Sequence, residues 1–195
     1  MLRGMAKAAA PADTSQRILD VAERLVQTRG FNGFSYADIA EALDVTKASL
    51  HYHFPSKADL GKRLIERYEE TFLALLKAID ATGAAPREKL KRYARIYADV
   101  LRDNRMCLCG MLASDYATLP KPMKEEVTHF FDENEHWLAA VLEQGRKSGG
   151  LAFKGSALEL ARVIVGSLEG AMMLARSYGD AARFDTAAER LLASL

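Results

Sequence analysis

Only two cysteines occur in 195 residues, and they stand two apart, at Cys107 and Cys109. A pair that close cannot staple a fold, so a disulfide scaffold is excluded and a reducing cytoplasm is the expected compartment. Five prolines and 13 glycines are too few for a collagenous or linker-like chain. No apolar run approaches the roughly 18–20 residues that a membrane span requires. The greasiest stretch, Ala161–Ala175, is broken by Arg162, Glu169 and two glycines. Met1–Asp13 lacks the apolar centre of a secretory signal. Charge of neither sign prevails, since 27 Lys and Arg meet 26 Asp and Glu. Any grip on nucleic acid must therefore come from local placement of charge. Strand alternation is nowhere sustained. There is no HExxH, no glycine-rich phosphate loop and no Gly-x-Ser-x-Gly, and nothing spaces Ser, His and Asp into a triad. No catalytic residue, metal site or cofactor is assigned.

What is present is an ordinary globular composition, 49% hydrophobic and 27% charged, carried on a 3.6-residue period. Breakers at Gly30–Gly33, Asp44–Val45, Pro55, Gly83–Pro86, Gly110, Pro120–Pro122, Gly149–Gly150, Gly155 and Gly179 divide that period into about nine helices. The first carries Ile18, Val21, Ala22, Leu25 and Val26 and is closed by Gly30, in the position a left-handed cap prefers. Two short helices follow at about 36–43 and 47–53, then a long one at about 57–81. Further helices are expected near 86–103, 106–118, 122–148, 156–178 and 185–194. The fold class is all-α.

The informative region runs from Phe34 to Leu60. Ser35-Tyr-Ala-Asp38 and Ser56-Lys-Ala-Asp59 both have capping-box spacing, with Asp in place of the usual Glu or Gln. In such a box a hydroxyl accepts an orphan N–H, and an acid three residues on reaches back. Thr46 is a third N-cap, opening Lys47–His53. The pairs Phe34 with Ile39, Val45 with Leu50, and Pro55 with Leu60 fit hydrophobic staples across the same three starts. Two short helices joined by the tight turn Leu43-Asp44-Val45, then a long third helix, make a helix-turn-helix over about 35–54. Ala40 is small where the two helices must cross, and Ile39, Leu43, Val45 and Leu50 supply a core between them. The second short helix offers Lys47, Ala48, Ser49, His51, Tyr52 and His53 to the outside, a face suited to a major groove. Its positive N-terminal end, strengthened by Lys47, suits a phosphate.

At this point the chain resembles the TetR family of transcriptional regulators. The likeness lies in Ile18-Leu-Asp-Val-Ala-Glu-Arg-Leu25, Gly30-Phe31, Asp38-Ile-Ala40, Thr46-Lys-Ala-Ser-Leu-His-Tyr-His-Phe54 and Ser56-Lys-Ala-Asp-Leu60. It covers about the first third of the chain. The resemblance implies a homodimer whose N-terminal domain binds double-stranded DNA at a palindromic operator. It also implies a C-terminal helical bundle for dimerisation and for a small-molecule effector that releases the DNA. Domains are then expected as a flexible arm at 1–12, a DNA-binding domain at 13–73 and an effector and dimerisation domain at 74–195. Carried over residue by residue, Lys47, Ala48, His51 and Tyr52 would meet bases or phosphates, Lys57 would hold backbone phosphate, and Ser35 and Thr46 would cap helices and touch phosphate. One departure is His51, where many members carry Tyr. Arg3 and Lys7 in the leader are placed to reach an adjacent groove, although no site is assigned there.

The remaining candidates lie downstream. Tyr97, Cys107, Met111, Tyr116, Phe130, Trp137 and Met172 are the expected lining of an effector pocket. Cys107 opens a helix near Arg102 and Arg105, and a thiol so placed has its pKa lowered; an electrophile or oxidant sensor is therefore an alternative trigger. Glu126-Val-Thr-His129 and Glu133-Asn-Glu-His136 are both Glu-x-x-His, the pair used by di-iron bundles. Lying seven residues apart on one helix, they stack along a face and cannot grip one metal pair. A metal-dependent enzyme using His129, Glu133 and His136 is the weaker alternative. Finally, Ala157–Tyr178 carries a wide apolar stripe and Gly166-Ser-Leu-Glu-Gly170, which lets another helix approach closely. Ile164, Gly166, Leu168, Gly170 and Leu191 are the expected dimer contacts.

Overall fold

The computed structural model describes residues 11–195, and every element in that range is helical. In chain order these are α1 (Pro11–Arg29), α2 (Tyr36–Leu43), α3 (Lys47–His53), α4 (Lys57–Ala81), α5 (Pro86–Arg102), α6 (Leu108–Ser114), α7 (Lys121–Lys147), α8 (Ala157–Tyr178) and α9 (Ala182–Ala193). Short 3-10 turns at Phe31–Gly33 and Tyr116–Thr118 complete the set. The helix expected at 106–118 is thus shorter, because Asp115 ends α6 and the chain tightens into the second 3-10 turn. Arg3 and Lys7 of the expected arm lie outside the described residues. Among the described residues no helix is long and apolar enough to cross a membrane.

Local chemistry sets the starts. Ser35 with Asp38 and Ser56 with Asp59 both form complete capping boxes, and Ser156 with Glu159 forms a third that opens α8. Pro86 and Pro122 each sit at the beginning of a helix, where the missing N–H costs nothing. Gly179 closes α8 in the left-handed conformation, with φ +62°. Gly30 also has positive φ, at +80°, but its ψ of 168° is extended rather than left-handed. The chain leaves α1 straight into the 3-10 turn, and a Cβ at Gly30 would stand 2.9 Å from the Asp115 carboxylate.

α1–α3 form a small unit around Ile18, Ala22, Ile39, Leu50 and Leu60, all fully buried. α4 is about 37 Å long at 1.5 Å per residue and runs unbroken from that unit into the C-terminal bundle. The boundary expected near residue 73 falls inside it. In the bundle α4 packs with α5, α6 and α7, α8 lies against α7, and α9 closes over α5 and α8. Arg67 ties α4 back to α1 through Asp20 and Glu23, both at 2.7 Å.

Candidate nucleic-acid interface and ligand crevice

The α2–α3 unit is held by one left-handed residue, two caps and a tyrosine. Asp44, at φ +53°, turns the chain, and its N–H closes on carbonyls at the end of α2. Thr46 Oγ1 accepts from Ser49 N–H at 3.2 Å. Tyr36, which sequence reasoning did not single out, is buried and donates its hydroxyl to Phe54 O at 2.8 Å. Burial, with Asp59 nearby, pushes its pKa up to about 12, so it stays a donor. The Tyr36 ring lies 4.8 Å from that of His51. His51 Nδ1 meets Pro55 O at 3.1 Å. A carbonyl only accepts, so Nδ1 is the donor in this contact.

Lys47, Ala48, His51 and Tyr52 all stand exposed on α3, Tyr52 at 81%, while Leu50 points inward and is fully buried. A shallow cleft between α2 and α3 gathers Ser35, Lys47, His51 and Lys57 along one wall. Four of the seven expected contact residues therefore converge. Lys57 also has partners within the protein. Its ammonium donates to the carbonyls of Phe31 and Phe34 and sits over both rings, at 4.6 and 4.1 Å from their centroids. Burial lowers its pKa, against Asp115 and Asp38, which hold it up. A side chain held in this way fixes the turn between α1 and α2.

In the C-terminal bundle, Tyr97, Cys107 and Met172 line one crevice with Tyr68, Phe72, Ile96 and Val100. It is a closed-up slot with no room for a water molecule. Phe130 backs it, 5.2 Å from the Phe72 ring and 5.6 Å from Tyr68. The other expected lining residues are elsewhere. Met111 lies at the junction with α1, 3.8 Å from where a Cβ on Gly30 would stand. Tyr116 is surface-exposed beneath Lys124. Trp137 stacks on the outside of Tyr93 and donates to Asp80 Oδ2 at 2.9 Å. Deeper in, the hydroxyls of Tyr97 and Tyr93 meet at 3.0 Å, and Tyr93 donates to Asn134 Oδ1 at 3.1 Å. A buried polar row thus runs beside the apolar crevice.

Cys107 is the N-cap of α6, its Sγ 3.5 Å from Gly110 N–H. A helix start favours a thiolate, but the thiol is buried. Burial first, then the neighbouring Glu169, pushes its pKa well above the ordinary value, and Cys109 is shifted the same way. The low-pKa thiol expected from Arg102 and Arg105 is therefore not formed. Arg102 pairs with Asp99 and Asp185, and Arg105 with Asp103.

Residues 18–64 match the family described as bacterial regulatory proteins, tetR family, and residues 86–191 match the tetracyclin repressor-like C-terminal domain. The chain belongs to the TetR family. It is 34% identical to a TetR-family transcriptional regulator from Agrobacterium tumefaciens, with a TM-score of 0.92 over 95% of this chain and 99% of that one. A TetR regulator from Legionella pneumophila is also 34% identical, with a TM-score of 0.83 and 97% of each chain covered. The HTH-type transcriptional repressor NemR of Escherichia coli K12 is 25% identical over 173 residues, 84% of either chain. This TetR-family protein is thus a DNA-binding transcriptional regulator.

For a regulator, the seam between the two units matters most, and sequence reasoning missed it. Arg176 of α8 donates to the carbonyls of Gln27 and Thr28 at the end of α1, a cation on a negative helix terminus. Asp115, just after α6, accepts from Phe31 N–H at 2.7 Å and Asn32 N–H at 3.4 Å. The same Phe31 peptide offers its carbonyl to Lys57, so the turn is gripped from the bundle on one side and from α4 on the other.

The α8 stripe also divides differently from expectation. Ile164 and Leu168 are buried in the bundle core, and Leu191 is half-buried. Gly166 and Gly170 face open space, on the same side as the exposed Val163, Met173, Leu174 (62%) and Tyr178 (64%). His129 and His136 are exposed on α7, with His129 near Glu69 at 3.5 Å. His129, Glu133 and His136 form no metal site: among the described residues no three His, Cys, Asp or Glu side chains are grouped to hold an ion.

Proposed function

We propose that this protein is a homodimeric repressor that leaves a palindromic operator when a small molecule enters the bundle. The observation that carries the reading is the exposed Lys47–Tyr52 face above the sealed Leu50 and Phe54, joined by Ser35 in one cleft. Lys47, Ala48, His51 and Tyr52 are its DNA contacts, with Ser35 and Thr46 capping helices at the phosphate backbone. One short helix reads few base pairs, and each correct pair contributes only about 1–3 kcal/mol. A two-fold axis doubles that readout. The exposed α8 side of Val163, Gly166, Gly170 and Leu174, continued by α9, is the dimer face. Its glycines let a second α8 approach closely, and an apolar strip of this kind is unusual on a free surface.

The crevice among Tyr68, Tyr97, Cys107 and Met172 supports the effector reading. Being too tight for water, it opens only when a ligand favours the opened state, and a ligand binding both states equally would shift nothing. The raised Cys107 pKa favours ligand gating over a thiol trigger. Residues 13–73 then serve as the DNA-binding domain and 74–195 as the effector and dimerisation domain. Selection from random duplex DNA tests the reading: enrichment of one inverted repeat is expected. Recovery of no sequence, or of an asymmetric one bound by a monomer, would refute it.

A further inference from the structure

Glu169 is the carboxyl whose surroundings are hardest to explain without a ligand. It lies on the side of α8 that faces α6. Its Oε1 is sealed from solvent and accepts no hydrogen bond. The other oxygen rests on Gly110 so closely that a Cβ there would stand 2.2 Å from it. The glycine is thus what leaves room for the acid. The titratable groups around it are the Cys107 and Cys109 thiols of α6, the Tyr68 hydroxyl of α4, and the Tyr93 and Tyr97 hydroxyls of α5. Arg176, seven residues further along the same side of α8, is committed to the carbonyls of α1. Among the described residues no Lys, Arg or His pairs with Glu169. Burial pushes its pKa up to about 7, tempered by the Cys107 thiol beside it.

An acid held with no charged partner, and with only a thiol beside it, stands at high free energy when ionised. Cys107 both faces it and lines the crevice. The crevice walls are aromatic at Tyr68, Phe72 and Tyr97, and aromatic faces attract a desolvated cation. An anionic effector would be repelled, and an uncharged one would leave the carboxylate unpaired. We propose that Glu169 is the anchor for a compact organic cation, an ammonium or amidinium with an apolar body, which enters the crevice as the effector of this regulator. This deepens the ligand-gated reading and rests on it. The same carboxyl bears on Gly110 in the middle of α6. Swinging it toward a cation therefore unloads the helix whose end, Asp115, holds Phe31 and Asn32 of the DNA-binding unit.

The test uses the full chain without DNA, in calorimetric titrations and thermal shifts at pH 6 and pH 8. The probes are choline, benzyltrimethylammonium and benzamidine, with 3,3-dimethylbutan-1-ol as the uncharged isostere of choline. Binding of at least one cation is expected, about tenfold tighter at pH 8, because a carboxyl titrating near 7 passes from about one-tenth to nine-tenths ionised. The isostere and the Glu169→Gln variant should each lose at least tenfold. If Glu169→Gln does not fold, the wild-type pH ratio and the isostere still decide. Uptake of no cation, equal binding of the isostere, or tighter binding at pH 6, which would mark a protonated Glu169 donating to a neutral ligand, each overturns the anchor. Operator binding by the unliganded protein is measured alongside, and its loss would refute the regulator reading instead.

Discussion

Substituting Asp115 by Asn keeps the size of the side chain and one acceptor oxygen but removes the charge from the grip on the Phe31–Asn32 turn. In the native protein one carboxylate oxygen takes the Phe31 N–H at 2.7 Å and a long 3.4 Å contact from Asn32. A hydrogen bond to a charged group contributes about 1.5–3 kcal/mol, and a neutral one about half that. The loss should be about 1–2 kcal/mol, or roughly 2–8 °C in Tm for a chain of this length. Lys57→Met removes the opposite grip, on the Phe31 and Phe34 carbonyls, and leaves those carbonyls short of a donor. Because the two charges bear on one peptide, the double variant should show a coupling of about 0.5–1.5 kcal/mol. Urea unfolding at a fixed protomer concentration, with the m-value checked, reads all four corners of the cycle. Operator binding by folded Lys57→Met separates the roles further. A phosphate contact contributes about 0.9 to the salt slope, and here the slope should be unchanged. Additive energies together with a slope reduced by about one would refute the argument and return Lys57 to the DNA.

Lys47→Ala should leave the melting temperature alone, since its side chain is exposed and has no salt-bridge partner among the described residues, and should lower the salt slope by about one in titrations across salt concentrations. Leu174→Glu places a charge on the exposed α8 side without touching the core; light scattering should show monomer, and operator affinity should fall at least a hundredfold. Glu169 moves from an ordinary 4.5 up to about 7 on folding, so the native state binds the proton more tightly than the unfolded chain does. The sign follows: stability from this group is present below about pH 4.5 and is lost as pH rises through about 7, by up to about 3 kcal/mol. Glu169→Gln should flatten that part of the stability profile between pH 5 and 8 in thermal unfolding.

The helix-turn-helix was legible because its determinants are local. Ser35 meets Asp38, Thr46 meets Ser49 and Ser56 meets Asp59 within three residues, so spacing alone identifies the contacts. The seam was not legible, because its partners are remote in sequence: 84 residues separate Asp115 from Phe31, and 149 separate Arg176 from Gln27. Lys57 shows the same limit. Its motif position suits a phosphate, yet the two carbonyls it holds lie 23 and 26 residues upstream, where no motif records them. The α8 stripe failed for another reason. That helix is apolar on two sides, and hydrophobicity alone gave Ile164 and Leu168 to a partner when the protomer's own core uses them. The two glycines of the helix, by contrast, do lie on its outer side, where nothing in the protomer meets them among the described residues.

In the proposed ligand-gated reading, α6 is the route by which a change in the bundle would reach the DNA. It is only two turns long and is headed by a cysteine on the crevice wall. Glu169 lies close against it at Gly110, and it ends in the acid that holds the α1–α2 turn. A helix this short has little stability of its own and takes its position from its contacts, so a shift at Gly110 is passed to Asp115 rather than absorbed by bending. The turn it holds is also fixed to α4 by Lys57, and α4 leads from that turn back to Tyr68 and Phe72 on the same crevice. Opening the crevice therefore pulls on the DNA-binding unit at two points, Asp115 and the start of α4. A ligand that displaced only one of them would strain the Phe31 peptide between the two. The combination that relieves the strain is a joint movement of α4 and α6, which carries α3 with it and changes its separation from the α3 of the second protomer. A disulfide that ties α6 to α4 should leave both operator binding and release intact, because the two helices move together. Loss of release with the crosslink closed would mean that α4 and α6 must instead move apart.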